Sequence, residues 1–427
     1  MIDLNLLREN PERLSAELKK RFIEGVDLSE IRELDERRRK AVTALEELRA
    51  QHRVESGKIA KATINKRKSL IDTARALAGK IKKQEPAVEK LELQFKEKIA
   101  SLPNLSHSTV PQGNSAANNQ VDSVVGEKPL FDFEPKPHWL LAGQLGLIDS
   151  KRASRLSGAR FNYIKGDLVR LQFALLRFVL DELLQRAFTP MLTPVLVKEE
   201  AMYGAGMFPL DRQEVYGLAD DQLYLTGTSE IALLSYHAHE TLSLARGPLR
   251  YTGYSTNFRR EAGAYGKDTR GLIRQHQFDK LEMFVFVSQE QSWDVFENEL
   301  VGIAEGILKK LGLHYRRVIL CSADLPRKFQ KTYDLETWLP SEKRYLETHS
   351  ISHAGDFQAR RLGIKYVAAN GQRRYAHTLN ATACAFSRMP VVIMEQYQQG
   401  DGRIRIPEVL QPYMNNQEWL GGSSTFC

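Results

Sequence analysis

Three kinds of hydrophobic pattern follow one another along the chain. Leu6, Leu7, Leu14 and Leu18 predict a short helix within 1–22. From about Asp27 to Ala100 the pattern is that of long, charged helices with one apolar seam each. The first carries Ile31, Leu34, Ala41, Leu45 and Leu48; the second carries Leu70, Ala74, Leu77, Ile81, Gln84, Val88, Leu91 and Phe95, in alternating four- and three-residue steps. Two such seams bury most simply against each other, so an antiparallel hairpin is predicted, with its break between Thr63 and Ser69 and a projection of roughly 50 Å. Pro86 is expected to kink or break the second helix.

After Ser101 the run LPNLSHSTVPQGNSAANNQ reads as an irregular connector. Beyond it, helix and strand periods alternate. An amphipathic helix is predicted over 165–187 (Leu168, Leu171, Leu175, Phe178, Val179, Leu183), then the strand-like TPMLTPVLV, an apolar helix IALLSYHAHE, a helix from about Gln289 to Leu311, and strands in HYRRVILC, YDLETW and YLETHS. Residues 251–286 read as two strands joined by a long loop, Glu261 to Gly271, that holds Gly263, Gly266, Gly271, Lys267 and Arg270. The tail NNQEWLGGSSTFC is expected to be loose.

With 427 residues, two or three domains are expected. No apolar run approaches a membrane span, and the start MIDLNLLRENPERL has neither the apolar core of a signal peptide nor the acid-free character of a transit peptide, so a cytoplasmic location is expected. Cys321, Cys384 and Cys427 are too few and too scattered for a disulfide framework or a cysteine-rich zinc site. His237 and His239 stand two apart on a predicted helix and face different ways, which excludes a metal pair. The net charge of +8 is uneven: residues 27–100 hold 19 Lys and Arg against 13 Asp and Glu. A basic, rigid rod is suited to the backbone of a nucleic acid, although a dimerisation coiled coil or spacer has the same pattern.

The loop is not a P-loop, because Gly263, Gly266 and Lys267 lack the GxxxxGK[ST] spacing and Asp268 follows the lysine. The segment FRREAGAYGKDTRGLIRQHQFDKLE instead closely resembles motif 2 of the class II aminoacyl-tRNA synthetases in the form found in seryl-tRNA synthetases, approximately FRSEAGxxGxDTRGLxRxHQFxKxE. The resemblance runs from residue 1 to about Met414 and includes FDFEPKPHWLLAGQLGLID, a motif 1-like helix and strand ending near Pro194, YAHTLNATACAFSRMPVVIMEQYQQ as motif 3, and the closing DGRIRIPEVLQPYM.

That resemblance implies an α+β chain: an antiparallel class II catalytic sheet flanked by helices, preceded by a helical coiled-coil arm. The implied domains are a tRNA-binding domain (1–103, arm about 27–101), a linker (104–120), the catalytic domain (121–414, with motifs near 165–197, 251–286 and 375–399) and a tail (415–427). The implied reaction is activation of L-serine by ATP to seryl-adenylate, then transfer to the 3′ end of a serine tRNA with a long variable arm; a homodimer and Mg²⁺ come with it.

By motif position, Arg259 and Arg388 are the implied catalytic pair. Arg259, Arg260, Glu261, Gln275, Phe278, Glu347, Thr348, His349, Ser350 and Arg388 are the implied ATP contacts, with Glu347 and Ser350 on the metal. Thr228, Ser229, Glu230, Arg259, Glu282, Asn380 and Thr382 are the implied serine contacts; Lys58, Lys61, Lys66, Arg67 and Lys68 at the arm tip are the implied tRNA contacts. Read without the family, Thr228 or Ser229 could simply cap the helix that follows, with Glu230 favoured by its dipole. The sequence departs from the usual bacterial pattern at Arg260, Thr382, Leu346, His349 and His353. A tRNA-binding paralogue that charges weakly and a ligase loading serine onto a carrier protein stay open as alternatives.

Overall fold

The computed structural model describes residues 1–263 and 270–421; Lys267 with the centre of the motif 2-like loop, and Cys427 with the end of the tail, lie outside the described residues. The chain divides into two units. One comprises 2–19 and 23–102, and the other comprises residue 1, 20–22 and the chain from Pro103 onward.

The first unit is helical. The predicted helix within 1–22 is two helices, Leu4–Glu9 and Pro11–Lys20, because Asn10 caps the first and Pro11 opens the second, where its missing N–H costs nothing. Leu28–Ile59 and Ile64–Ala100 form the antiparallel hairpin. Asp27 starts the first helix by accepting the N–H groups of Ser29 and Glu30 at 2.9 and 3.2 Å. Ile31, Leu45, Ala74, Leu77, Val88 and Phe95 are buried along the seam, whereas Gln84 is exposed. The chain reverses over 60–63, slightly before the expected break, and the second helix continues through Pro86 without interruption. A buried carboxylate, Asp35, takes guanidinium groups from Arg8, Arg38 and Arg39 at 2.7, 3.0 and 3.2 Å, which hold its pKa down against the burial that would raise it.

The second unit is built on an eight-stranded sheet. Its strands in chain order are β1 (Gln120–Val125), β2 (Thr189–Leu192), β3 (Leu249–Phe258), β4 (Gln277–Val287), β5 (Tyr315–Ile319), β6 (Lys331–Leu339), β7 (Arg344–Gly355) and β8 (His377–Ala385). They lie side by side as β1-β5-β6-β7-β8-β4-β3-β2, antiparallel throughout except for the parallel pair β2–β3. TPMLTPVLV is therefore not one strand: Thr189–Leu192 joins this sheet, and Leu196–Lys198 pairs instead with Leu223–Leu225. Pro194 lies between the two pieces, whereas Pro190 is accommodated within Thr189–Leu192 because that strand is at the edge of the sheet.

β8 and β4 are neighbouring interior strands of the sheet, and on β4 burial is continuous from Lys280 to Val287. Leu281, Met283 and Val285 pack with Leu171, Leu175, Phe178 and Val179 of the helix Asp167–Leu184, while Phe284 and Phe286 enter a second cluster with Ile231, Leu233 and Ile364. Both faces of β4 are thus covered in its second half. In its first half the even positions Phe278, Lys280 and Glu282 face an open cleft.

The predicted helix 289–311 is continuous but widens to a π-helix over Val295–Leu300. The tail is anchored as far as it is described: Trp419–Leu420 pairs with Ile404–Arg405, Leu420 is fully buried, and Gln417 donates to Asp167 at 2.8 Å.

Candidate active site

A cleft of about 620 Å³ opens over β4, β6, β7 and β8. Register decides which side chains enter it. Asn380 and Thr382 on β8 are two apart, and Thr382 stands opposite Glu282 on β4, so these three share one face. Glu347 and Ser350 on β7 are three apart, and an unbroken strand would turn them to opposite faces. A bulge corrects this: Leu335 pairs with His349 and Glu336 with Glu347, leaving Thr348 as the extra residue, and both Glu347 and Ser350 line the cleft.

The inserted Thr348 borders the cavity beside Phe278 and Arg388 but turns its hydroxyl into protein, and its neighbour His349 turns into protein altogether. The Thr348 hydroxyl meets Thr337 Oγ1 at 2.9 Å and Leu335 O at 3.2 Å. His349 is fully buried, with Nδ1 3.1 Å from Thr348 Oγ1 and Nε2 3.2 Å from Ala383 O, and burial lowers its pKa to about 4. Ser229 likewise points away, donating to Gly253 O at 2.9 Å. Thr228 and Glu230 line the cleft, and Thr228 Oγ1 accepts the Glu230 N–H at 3.2 Å, so the capping contact comes from Thr228.

Arg259 stands at the end of β3. Its backbone N–H donates to His276 O at 3.0 Å, and His276 Nδ1 lies 2.9 Å from Arg259 O, which closes the hairpin directly behind the guanidinium. The guanidinium donates to Gly227 O at 3.3 and 3.2 Å and lies 5.3 Å from the Phe278 ring centre. Burial, then the charge of Arg388, lowers its pKa: a second cation lies close to the first. Glu261 receives Arg274 at 3.2 Å. Arg260 is exposed, its guanidinium 5.6 Å from the Tyr216 ring. Gln275 is buried, donating to Leu272 O at 3.3 Å.

On the side toward β8, Glu282 accepts Asn380 Nδ2 at 3.1 Å and is ion-paired with Lys280. Four further residues escape the sequence reading. Asp334 on β6 lies opposite Ser350, and burial, then the charge of Glu347, raises its carboxyl pKa well above normal. Asp211, exposed as a residue, also lines the cleft, where partial desolvation of its carboxyl raises its pKa. Gln358 is buried and donates to Glu230 Oε1 at 2.7 Å; Lys328 Nζ donates to both oxygens of Glu230 at 2.8 and 3.0 Å. Gln358 lies in FQARR, next to segments read as informative, whereas nothing in local pattern marks Lys328.

A cleft with convergent arginines, acids spread along an antiparallel sheet, and a strand–loop–strand hairpin beside a strand–helix junction at Arg388 defines a class II synthetase core. Residues 216–397 match the model of the tRNA synthetase class II core domain (G, H, P, S and T), and residues 1–106 match that of the seryl-tRNA synthetase N-terminal domain. The chain belongs to the seryl-tRNA synthetase family. It is 41% identical to a serine–tRNA ligase of Kosmotoga olearia, covering 98% of this chain and 99% of that one, and 42% identical to a serine–tRNA ligase of Leifsonia xyli subsp. xyli over the same shares. Among solved structures it resembles seryl-tRNA synthetase from Pyrococcus horikoshii complexed with ATP (TM-score 0.86, 35% identity, 98% and 99% of the two chains). It also resembles the cytoplasmic serine–tRNA ligase of Naegleria fowleri in complex with AMP (TM-score 0.82, 32% identity, 98% of each chain).

Proposed function

We propose that the chain joins L-serine to the 3′ end of a serine tRNA in two steps, through seryl-adenylate formed from ATP. The observation that carries this reading is the meeting of Arg259, Arg388, Glu230, Glu282 and Thr382 around one cleft, in a chain whose full length aligns with serine–tRNA ligases. Adenylate formation needs no covalent enzyme nucleophile. The serine carboxylate attacks the α-phosphorus, and pyrophosphate leaves.

In this reading Arg259 meets the α-phosphate and the serine carboxylate, and Phe278 offers a ring face to adenine. Arg388 takes the γ-phosphate, Glu261 the adenine amino group, and Arg260, Gln275 and Thr348 border the nucleotide; His349 supports the strand from behind. Two close arginines that already repel one another gain on meeting a polyphosphate, and fixed cations stabilise the charge that builds on phosphorus. Glu230 would receive the serine ammonium, and Thr382, Asn380 and Glu282 would surround its hydroxyl. A polar pocket rejects alanine and glycine because their binding leaves buried donors and acceptors unpaired.

The residues present suit Mg²⁺. Glu347, Ser350 and the adjacent buried Asp334, whose Oδ1 has no hydrogen-bond partner among the described residues, form an oxygen-only donor set. Glu347 and Ser350 would hold the ion, which when bound supplies positive charge to the phosphates. Among the described residues no cluster of three or more His, Cys, Asp or Glu side chains forms a metal site by itself.

The exposed apolar side chains Phe173, Leu184 and Leu192 on the motif 1-like helix and strand support a homodimer through that surface. Lys58, Lys61, Lys66, Arg67 and Lys68 are all exposed at the arm tip, which supports tRNA contact there. The reaction belongs in the cytoplasm, and no described helix is long and apolar enough to cross a membrane. The deciding experiment is serine-dependent ATP–pyrophosphate exchange followed by serylation of tRNA. Absence of exchange sinks the reading, and exchange without serylation favours the carrier-protein ligase.

A further inference from the structure

Glu230 is almost completely buried, and its charge is matched within the protein itself. Lys328 Nζ bridges both carboxylate oxygens at 2.8 and 3.0 Å, and Gln358 Nε2 donates to one of them at 2.7 Å. The lysine reaches this position by a defined route. Its backbone carbonyl accepts Asn104 Nδ2 at 3.1 Å, and its stem crosses Gly206, where an added Cβ would stand 3.1 Å from Lys328 Cβ. The anchor is the backbone; the four-carbon stem beyond it can rotate.

An amino acid's ammonium and the head of a lysine are the same chemical group: one positive charge and three donors. A single buried carboxylate neutralises one of them. Two would repel at close range with little water to screen them. Asp211 lines the same cleft as an exposed residue under the influence of Lys328's charge, and offers the displaced lysine a second carboxylate.

We propose that Lys328 is an internal competitor for the substrate ammonium: it holds Glu230 in the empty enzyme, and serine binds as the lysine head moves across to Asp211. The inference rests on the reading of this cleft as the serine site. Lys328 therefore sets the affinity for the amino acid without taking part in the chemistry. If the lysine holds Glu230 in about nine molecules of ten, the apparent affinity for serine is reduced about tenfold, since only the remaining fraction is competent.

The test is serine-dependent ATP–pyrophosphate exchange on the full chain, comparing the parent with Lys328→Met, Lys328→Arg, Asp211→Asn and Glu230→Gln. Lys328→Met keeps the stem and removes the charge; it is expected to lower the serine KM about tenfold with kcat within about twofold. Lys328→Arg, which restores a cation, should return KM to the parent's value, and Asp211→Asn, which removes the alternative partner, should raise it severalfold. A Lys328→Met variant with unchanged or raised KM overturns the proposal, as does Asp211→Asn with the parent's KM. Glu230→Gln separates the two levels: if it exchanges like the parent, the serine site itself is misassigned, whereas if it is inactive and Lys328→Met shows no improvement, only the competition fails.

Discussion

Arg388 Nη1 lies 3.1 Å from Glu347 Oε1 and 2.9 Å from the backbone carbonyl of the same residue. The arginine proposed for the γ-phosphate and the carboxylate proposed for the metal are thus paired with each other. Nucleotide binding would exchange this pair for arginine–phosphate and carboxylate–metal contacts, so both partners are held near their working positions beforehand.

Arg259→Ala and Arg388→Ala are each expected to abolish adenylate formation while leaving the fold intact. Each removes a cation from the place where phosphate charge builds, a loss of about 3 kcal/mol or more of transition-state stabilisation. Pyrophosphate exchange and a thermal unfolding curve on the same samples check it; near-parental exchange in either variant would remove that arginine from the mechanism.

Thr382 faces the cleft opposite Glu282, and its hydroxyl is the feature expected to matter. Thr382→Ser should be mild, whereas Thr382→Val keeps the shape, loses the hydrogen bond and should weaken serine use by about 1–3 kcal/mol. The measurement is kcat/KM for serine in exchange. A valine variant as efficient as the parent would place the serine hydroxyl elsewhere.

The family-bearing spacing makes the hairpin, the sheet and the cleft legible, because motif positions fix which residues share a strand. Local pattern does not reveal the bulge at Thr348, since one extra residue changes the face of everything after it without any change of composition. Lys328 is invisible for a different reason: its partner Glu230 is 98 residues away, and only the assembled cleft brings them together. The tail reads as loose, yet its described part, to Gly421, is anchored, because Leu420 pairs with a short strand that has no pattern of its own.

His349 gives stability a pH dependence of definite sign. Its folded pKa is depressed to about 4 from an ordinary 6.5, so between those values the unfolded chain binds more protons. Its contribution is complete above pH 6.5 and is lost as pH falls, on the order of 2 kcal/mol by pH 5. His353, buried beside Trp293 and also depressed, acts in the same direction. Denaturant unfolding at pH 7 and pH 5 should show a smaller drop for His349→Gln than for the parent. An equal drop would mean that His349 is not held neutral.

The two units should also separate in function. The arm contains none of the residues around the cleft, so replacing 27–101 by a short linker should leave serine-dependent exchange largely intact. Transfer to tRNA should collapse, because residues 27–100 hold 19 Lys and Arg against 13 Asp and Glu and form the one long helical hairpin among the described residues. Charge reversal at Lys66, Arg67 and Lys68 should weaken tRNA binding in the same direction but less. The salt dependence should become shallower, by about 0.7–0.9 in the log–log slope for each phosphate that is no longer neutralised. Exchange and serylation measured on one preparation decide the matter: if both fall together the arm supports the catalytic unit, and if neither falls it does not bind tRNA.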